Sequence, residues 1–156
     1  MNDKVITVKV EGLSELRTAL LNLPQELQAG PLRRAVRDMA GVVQKRAIEL
    51  APEDEGTLKK AIYRAPDKEE SSAVQQAYIV GVRYGKRYRR RGMDAWYWWY
   101  LEFGTSRMDA KSFMRPAFDS TKTEQIEALR VRLAADIARI AAKLQRQWER
   151  SLGRKA

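Results

Sequence analysis

Hydrophobic and polar residues alternate at the start of the chain. In the segment VITVKVEG, residues 5–12, apolar side chains fall at every second position, and this pattern predicts a first strand with one buried face. Ser14 can cap the short helix predicted for ELRTALLNL, which stops before Pro24. The sequence therefore predicts a strand followed by a helix at the start of the chain.

Two longer stretches carry apolar residues at three- and four-residue steps and predict the long helices of the fold. The first opens at Pro31, since proline is tolerated in a first helical turn, and ends before Pro52. The second covers about residues 116–150. It begins at its own proline, or at a Thr121 cap with Glu124 three residues later as a capping box.

The region between these helices is rich in residues that favour strands. TLKKAIYRA and AVQQAYIVGVRYG predict a hairpin whose second strand covers Val74 to Tyr84. The following segment, GKRYRRRGMD, predicts a loop bounded by Gly85 and Gly92. No internal repeat or linker interrupts the chain. We therefore expect one α+β domain over residues 1–156, with a small antiparallel sheet packed against two long helices.

The segment AWYWWYLEF is ambiguous, because aromatic residues favour strands while its ring spacing also fits a helix. We predict a short helix that ends at Gly104, followed by a short extended segment, AKSFM, before Pro116. Contiguous rings cannot all face one side of a helix, so some must point away from the core. We expect part core and part subunit interface in preference to a base-stacking platform, with the interface formed by Trp96, Trp98, Trp99 and Tyr100.

Composition narrows the possible chemistry. The 156 residues include no histidine and no cysteine, which excludes Ser-His-Asp and Cys-His nucleophilic sites and the usual zinc sites. A carboxylate-only hydrolase or a magnesium site remains open, but the nearest acidic pairs lie in predicted loops. We expect a protein that is not an enzyme, has no cofactor and has no apolar run long enough to span a bilayer.

Basic residues give the chain a net charge of +10, which favours a polyanionic or acidic partner. The densest cluster within the predicted loop consists of Lys86, Arg87, Arg89, Arg90 and Arg91. Three interpretations stay open: contact with an acidic protein, contact with nucleic acid phosphates, or a solvated hairpin tip. No sequence-reading motif accompanies the loop, so any DNA contact should be to the backbone.

Glu102 is the polar exception in the aromatic segment. Burying its carboxylate without a partner would cost several kcal/mol. We expect it to accept hydrogen bonds from backbone N–H groups near Gly104, or to pair with Arg107 or Arg115. A catalytic role would need a second acid or a base nearby, and the sequence shows none. The surrounding segment predicts a helix end, a tight turn, a short strand and a helix start.

These motifs resemble those of the tail-completion, or head–tail joining, proteins of long-tailed phages and prophages. The likeness covers most of the chain and includes a Glu-Phe-Gly-Thr … Pro-Phe-x-x-Pro-Ala signature. The residues that carry the motifs are Pro52, Gly56, Leu58, Glu102, Phe103, Gly104, Thr105, Phe113, Arg115, Pro116 and Ala117. Ser112 and Glu55 depart from the pattern, since the family often has proline and threonine at these positions. The tail proteins of contractile phages share a similar Gly-Thr … Arg-Pro-Phe feature.

The resemblance implies a structural virion protein that forms a ring, six-fold to match a tail, at the head–tail junction. Packaged DNA would pass non-specifically through the lumen. Tail tube or terminator proteins and neck or connector proteins would contact the two faces of the ring. The protein would reside in the virion, and in the host cytoplasm during assembly. The alternative is a stand-alone, non-specific nucleic-acid-binding protein.

Overall fold

The fold is seen in a computed structural model, which describes Thr18 and residues 25–53, 56–72 and 75–153. The elements in chain order are α1 (Gln25–Leu50), α2 (Thr57–Ala61), β1 (Ile62–Asp67), β2 (Ala77–Val82), α3 (Lys86–Arg89), α4 (Trp98–Phe103), α5 (Met114–Ser120) and α6 (Lys122–Gly153). A two-stranded antiparallel sheet packs with the long helices α1 and α6, which confirms the predicted α+β class. The predicted first strand lies outside the described residues, and of the short helix only Thr18, which is helical, lies inside.

Helix α1 is longer than predicted. It begins at Gln25, so Pro31 lies inside it and does not open it. An interior proline typically costs a helix about 3 kcal/mol, and burial of the Pro31 ring offsets part of that cost. The most buried positions of α1 are mainly small residues, which let its neighbours approach closely. They are Ala35, Ala40, Val43 and Ala47.

The hairpin differs from the prediction at both of its ends. Residues Thr57–Ala61 form a helical turn and not a strand, because Gly56 adopts a left-handed conformation, with φ 72° and ψ 0°, just before them. Leu58 and Ala61 are then buried one turn apart. The second strand is also shorter than predicted: it covers only Ala77–Val82, and Tyr84 lies beyond it.

The sheet turns one face towards α1. Ile62 pairs with Val82 and both are buried, while the next pair on the same face is Arg64 with Val80. The Arg64 side chain crosses α1 at Gly41, where an added Cβ would collide with its Nη1 atom, and it donates to the backbone oxygen of Arg37 at 3.3 Å. Glycine at position 41 therefore makes room for a neighbouring side chain.

The predicted C-terminal helix is two helices that meet at Thr121. The Thr121 hydroxyl donates to the backbone oxygen of Ala117 at 2.7 Å and accepts from Gln125 Nε2 at 2.9 Å. The hydroxyl is therefore used by these groups, and the predicted capping box with Glu124 is not what organises the junction. Helix α6 continues to Gly153, slightly past the predicted end.

Helices α1 and α6 are joined by a buried carboxylate. Asp136 of α6 is 0% exposed and its Oδ2 lies 2.7 Å from Arg34 Nε of α1. Arg132 and Arg139 approach the same carboxylate at 3.2 and 3.5 Å, and Arg132 also reaches Asp38 of α1 at 3.6 Å. Burial alone would raise the pKa of Asp136, but the hydrogen bond and charge of Arg34, with those of Arg132, hold this pKa below its ordinary value.

Asp136→Asn tests this junction. We expect a loss of about 1–3 kcal/mol in the free energy of unfolding near neutral pH, because the partly exposed arginines lose their charged partner. Since the folded pKa is lowered, the wild-type contribution is complete above the unfolded value of about 4 and is lost as pH falls through the folded pKa. Urea titrations of both proteins should therefore converge only at low pH.

The matched control is Asp119→Asn, which breaks the exposed ion pair with Lys122 and should change the free energy of unfolding by less than about 0.5 kcal/mol. Equal effects of the two substitutions, or a difference that stays constant down to low pH, would contradict the role given to Asp136.

Candidate assembly site

The Glu102 carboxylate caps the helix that follows it in the chain. Its Oε2 accepts from the backbone N–H groups of Phe113 at 2.9 Å and Met114 at 3.0 Å. Its Oε1 accepts from the N–H of Arg115 at 3.1 Å. The residue is only 6% exposed, so these bonds replace the water that the carboxylate has lost. Glu102 acts as a long-range N-cap of α5.

Pro116 completes the hydrogen bonding of this helix start. A helix leaves its first four N–H groups without an intrahelical partner, and proline has no N–H to leave. Glu102 binds the other three, and the first helical bond follows from Ala117 N–H to the oxygen of Phe113 at 3.1 Å. Every N–H in the first turn of α5 is therefore accounted for.

The partners of Glu102 differ in part from those expected. Backbone N–H groups do bind it, but they lie 11 to 13 residues along the chain and not near Gly104. The pairing with Arg107 or the Arg115 side chain is wrong: Arg115 contributes its backbone N–H while its side chain is exposed. Ser112, which stands where the family often has proline, donates its hydroxyl to the backbone oxygen of Glu102 at 2.7 Å.

Gly104 makes the turn between α4 and this cap. Its φ of 73° and ψ of −176° form a combination that is essentially restricted to glycine. A Cβ there would lie 2.9 Å from both the backbone nitrogen of Ala110 and the oxygen of Met108. Thr105 pairs with Met108 in an isolated bridge. Of the predicted extended segment AKSFM, residues 110–113 form no strand and Met114 begins α5.

The upstream motif and the downstream motif meet in the core. Pro52 follows the end of α1, and Gly56 starts the turn that brings Leu58 inward. Leu58 belongs to the same buried cluster as Phe113 and Ala117. Residues of the upstream and downstream family motifs therefore pack in the same core cluster.

The aromatic residues divide between the core and the surface. Trp98 and Tyr97 are partly buried and pack against the core cluster. Four rings are exposed and form what we name the aromatic surface: Trp96 at 61%, Trp99 at 54%, Tyr100 at 46% and Phe103 at 50%. Within it, the rings of Trp99 and Phe103 lie 4.3 Å apart and those of Trp96 and Tyr100 lie 6.1 Å apart.

This division refines the predicted interface residues. Trp96, Trp99 and Tyr100 lie where a partner could contact them, whereas Trp98 is largely a packing residue. Phe103 belongs to the aromatic segment and to the family motif, but it is not among the four residues predicted for the interface, and its ring is part of the exposed set. Its spacing of four residues from Trp99, which places both on one helical face, is the sequence signal that adds it to the interface.

The predicted loop contains the short helix α3 and a defined turn. Gly85 and Gly92 bound it with φ of 96° and 62°, and we name residues 85–92 the basic turn. Asp94, which follows the turn, binds it at two points: its Oδ1 accepts from the Gly85 N–H at 2.6 Å, and its Oδ2 lies 3.2 Å from Arg89 Nε. The Asp94 side chain is 8% exposed and that of Arg89 is 71% exposed, so the ion pair joins a sheltered carboxylate to a guanidinium at the surface.

The predicted basic residues separate into two groups. Arg89 is the partner of Asp94. The other four are exposed and form no ion pair with any residue that the structure describes: Lys86, Arg87, Arg90 and Arg91.

Other kinds of site have no support in the described part of the chain. No group of three or more acidic residues there is placed to hold a metal ion. None of the described helices is both long enough and apolar enough to cross a membrane.

Comparison with known proteins adds one match. The model of the HK97-gp10-like family, described as "Bacteriophage HK97-gp10, putative tail-component", matches residues 14–104. The chain belongs to this family. The match ends at Gly104, within the Glu-Phe-Gly-Thr motif, and it confirms the resemblance to phage head–tail joining proteins. No curated protein and no solved structure gave a significant match.

Membership in the HK97-gp10-like family places the chain among phage tail components and supports a structural role in the virion. The geometry is compatible with that role. The residues of the family motif fix the backbone around α4 and α5, and they leave the aromatic surface and the basic turn exposed.

Glu102→Ala is the direct test of the cap. It should lower the free energy of unfolding by about 2–4 kcal/mol, because three backbone N–H groups, one of them fully buried, lose their acceptor. Chemical denaturation would measure this change. Arg115→Ala is the matched control within the same motif, since it retains the N–H that Glu102 uses, and it should cost less than about 0.5 kcal/mol. A stable Glu102→Ala protein would refute the cap as the organising contact.

Proposed function

We propose that the chain is a tail-completion protein that forms a closed ring at the head–tail junction of a phage tail. Packaged DNA passes through the lumen of this ring. The observation that carries the proposal is the aromatic surface, where four large rings are exposed on and beside one short helix. Membership in a phage tail-component family supports a role for that surface in virion assembly.

The aromatic surface has the composition of a subunit contact. Tyr, Trp and Phe are enriched at protein interfaces, where rigid rings bury a large area at a small cost in conformational entropy. A solitary chain would leave these rings in water, which is unfavourable. Scattered single apolar residues are ordinary on a protein surface, but adjoining rings of this size indicate an interaction site.

The position of the rings is fixed before any partner binds. Trp98 packs against the core on the other side of α4, and Glu102 ties the end of α4 to the start of α5. Gly104 fixes the turn between them. A contact surface held in this way loses little freedom on association, so more of the burial energy appears as affinity.

A closed ring needs two different patches on each subunit that fit one another. We propose the aromatic surface as one of them and a second copy of the chain as its partner. The ring would have six copies, to match the symmetry of a tail. Its faces would meet the tail tube or terminator on one side and the neck or connector on the other.

The role proposed here is mechanical and not enzymatic, and it calls for no cofactor or metal. It places the protein in the virion, at the head–tail junction, and in the host cytoplasm during assembly. The net charge of +10 on each chain would favour the passage of DNA, a polyanion, through the lumen of the proposed ring.

Replacing Trp96 and Trp99 together by serine tests the proposal. Wild-type protein should have the mass of a ring in light scattering and show a central hole in negative-stain images. The double variant should have the mass of a monomer, because it lacks the two largest rings of the proposed interface. Its far-ultraviolet circular dichroism should still show the helical content of the wild type, since both side chains are mainly exposed.

The matched control replaces Ile79 and Val131, which are 45% and 58% exposed and lie outside α4, by serine. This control should retain the ring. Rings that persist in the Trp96 and Trp99 variant would exclude the aromatic surface as the subunit interface. A wild-type protein that stays monomeric at every concentration would reject a self-assembling ring.

A further inference from the structure

We infer that the basic turn is a binding site for the phosphate backbone of duplex DNA, formed by Lys86, Arg87, Arg90 and Arg91. The inference rests on the proposed function for its biological setting, since it assumes that DNA passes close to the protein. The binding itself can be tested on the purified chain.

The four cations of this site are unusual for this protein in their density, since they fall within six consecutive residues and have no described counter-charge. Some basic residues elsewhere have carboxylate partners: Arg46 lies 3.1 Å from Glu49 and Lys122 lies 2.8 Å from Asp119. Others are exposed and unpaired, but nowhere else in the described chain do four such cations fall within six consecutive residues. In the basic turn only Arg89 has such a partner, Asp94. The turn therefore presents positive charge that the described chain does not neutralise.

Holding these charges together has a cost. Like charges that lie close together on a helical turn are destabilising. Lys86 and Arg87 lie in α3, which ends at Arg89, and Arg90 and Arg91 follow it directly, so all four charges fall within six consecutive residues. A bound polyanion would remove the repulsion, so the folded turn favours such a ligand.

The turn is held in one conformation, unlike a loop that serves only to keep a surface soluble. The Tyr88 N–H donates to the oxygen of Gly85 at 2.9 Å, and the N–H groups of Arg91 and Met93 donate to the oxygen of Tyr88 at 3.0 and 3.2 Å. The Asp94 carboxylate also binds the Gly85 N–H and the Arg89 side chain. The backbone that carries the cations is therefore preorganised, which reduces the entropy lost when a ligand binds.

Phosphate is the ligand chemistry that these side chains fit. The guanidinium group of arginine donates in a planar fork that matches phosphate oxygens, and the lysine ammonium adds a point charge. Exposed cations on a short turn are attracted to phosphate charge and do not distinguish one base from another. Binding should therefore be to the DNA backbone and independent of sequence. An acidic protein surface is the competing partner, and the experiment below separates the two.

The test measures binding of a labelled, mixed-sequence duplex of about 30 base pairs to the full chain by fluorescence anisotropy over a range of salt concentrations. The variant replaces Lys86, Arg87, Arg90 and Arg91 with glutamine. We expect binding to weaken about tenfold or more near 0.1 M salt. The slope of log affinity against log salt should fall in magnitude by about 3–4, close to one for each phosphate that the variant no longer neutralises.

A charge-matched control replaces four exposed cations elsewhere with glutamine: Lys60, Arg130, Lys143 and Arg146. It should retain most of the affinity and a slope within about one of wild type. A second variant, Asp94→Ala, opens the turn while making the chain more positive. We expect it to bind DNA about two- to tenfold more weakly, the opposite of what added positive charge alone would produce.

Each outcome decides the inference. Equal decreases in affinity for the turn variant and the control, or a wild-type protein that does not bind the duplex at physiological salt, would overturn it. So would a turn variant that no longer forms rings but keeps its DNA affinity, since its cations would then contact protein. A wild-type monomer that binds DNA through the turn would uphold the inference and reject the proposed ring.

Discussion

The rest of the described structure around α4 and α5 depends on the carboxylate of Glu102. It gathers three backbone N–H groups at the start of α5 and so places Phe113 in the core and Arg115 at the surface. Without it, those donors would be left without acceptors, at a cost of about 1–3 kcal/mol for each buried group. The same interaction fixes the end of α4, so a buried charge positions an exposed aromatic surface.

Buried and exposed charges serve opposite purposes in this chain. In the interior, arginines surround Asp136 and backbone N–H groups bind Glu102. Each carboxylate therefore stabilises the contact between two elements of the folded chain. At the surface, the four cations of the basic turn that have no described counter-charge remain uncompensated, and the rings of the aromatic surface stay in water. A binding partner could neutralise these cations and cover these rings.

Periodic patterns in the sequence predicted the larger features because they reflect burial within one element. The α+β class, the helix at α4 and its end at Gly104 follow from such local signals. Two of the wrong predictions depend on contacts distant in sequence. The N–H groups that Glu102 binds are 11 to 13 residues away, and Pro31 is accommodated because the tertiary fold buries its ring. No local pattern contains either fact.

The two surfaces occupy a continuous stretch of chain, and this constrains the assembly. Ala95, fully buried between them, donates its N–H to the oxygen of Arg83 at 3.1 Å and so ties both to the residue that follows β2. In the proposed ring, a subunit interface through the aromatic surface would therefore set every copy of the basic turn at the same radius and height. Contacts that are weak singly would then act together on one duplex, because linked sites bind with a high effective concentration. Sequence-independent phosphate contacts arranged this way would hold DNA without stopping its movement along the axis.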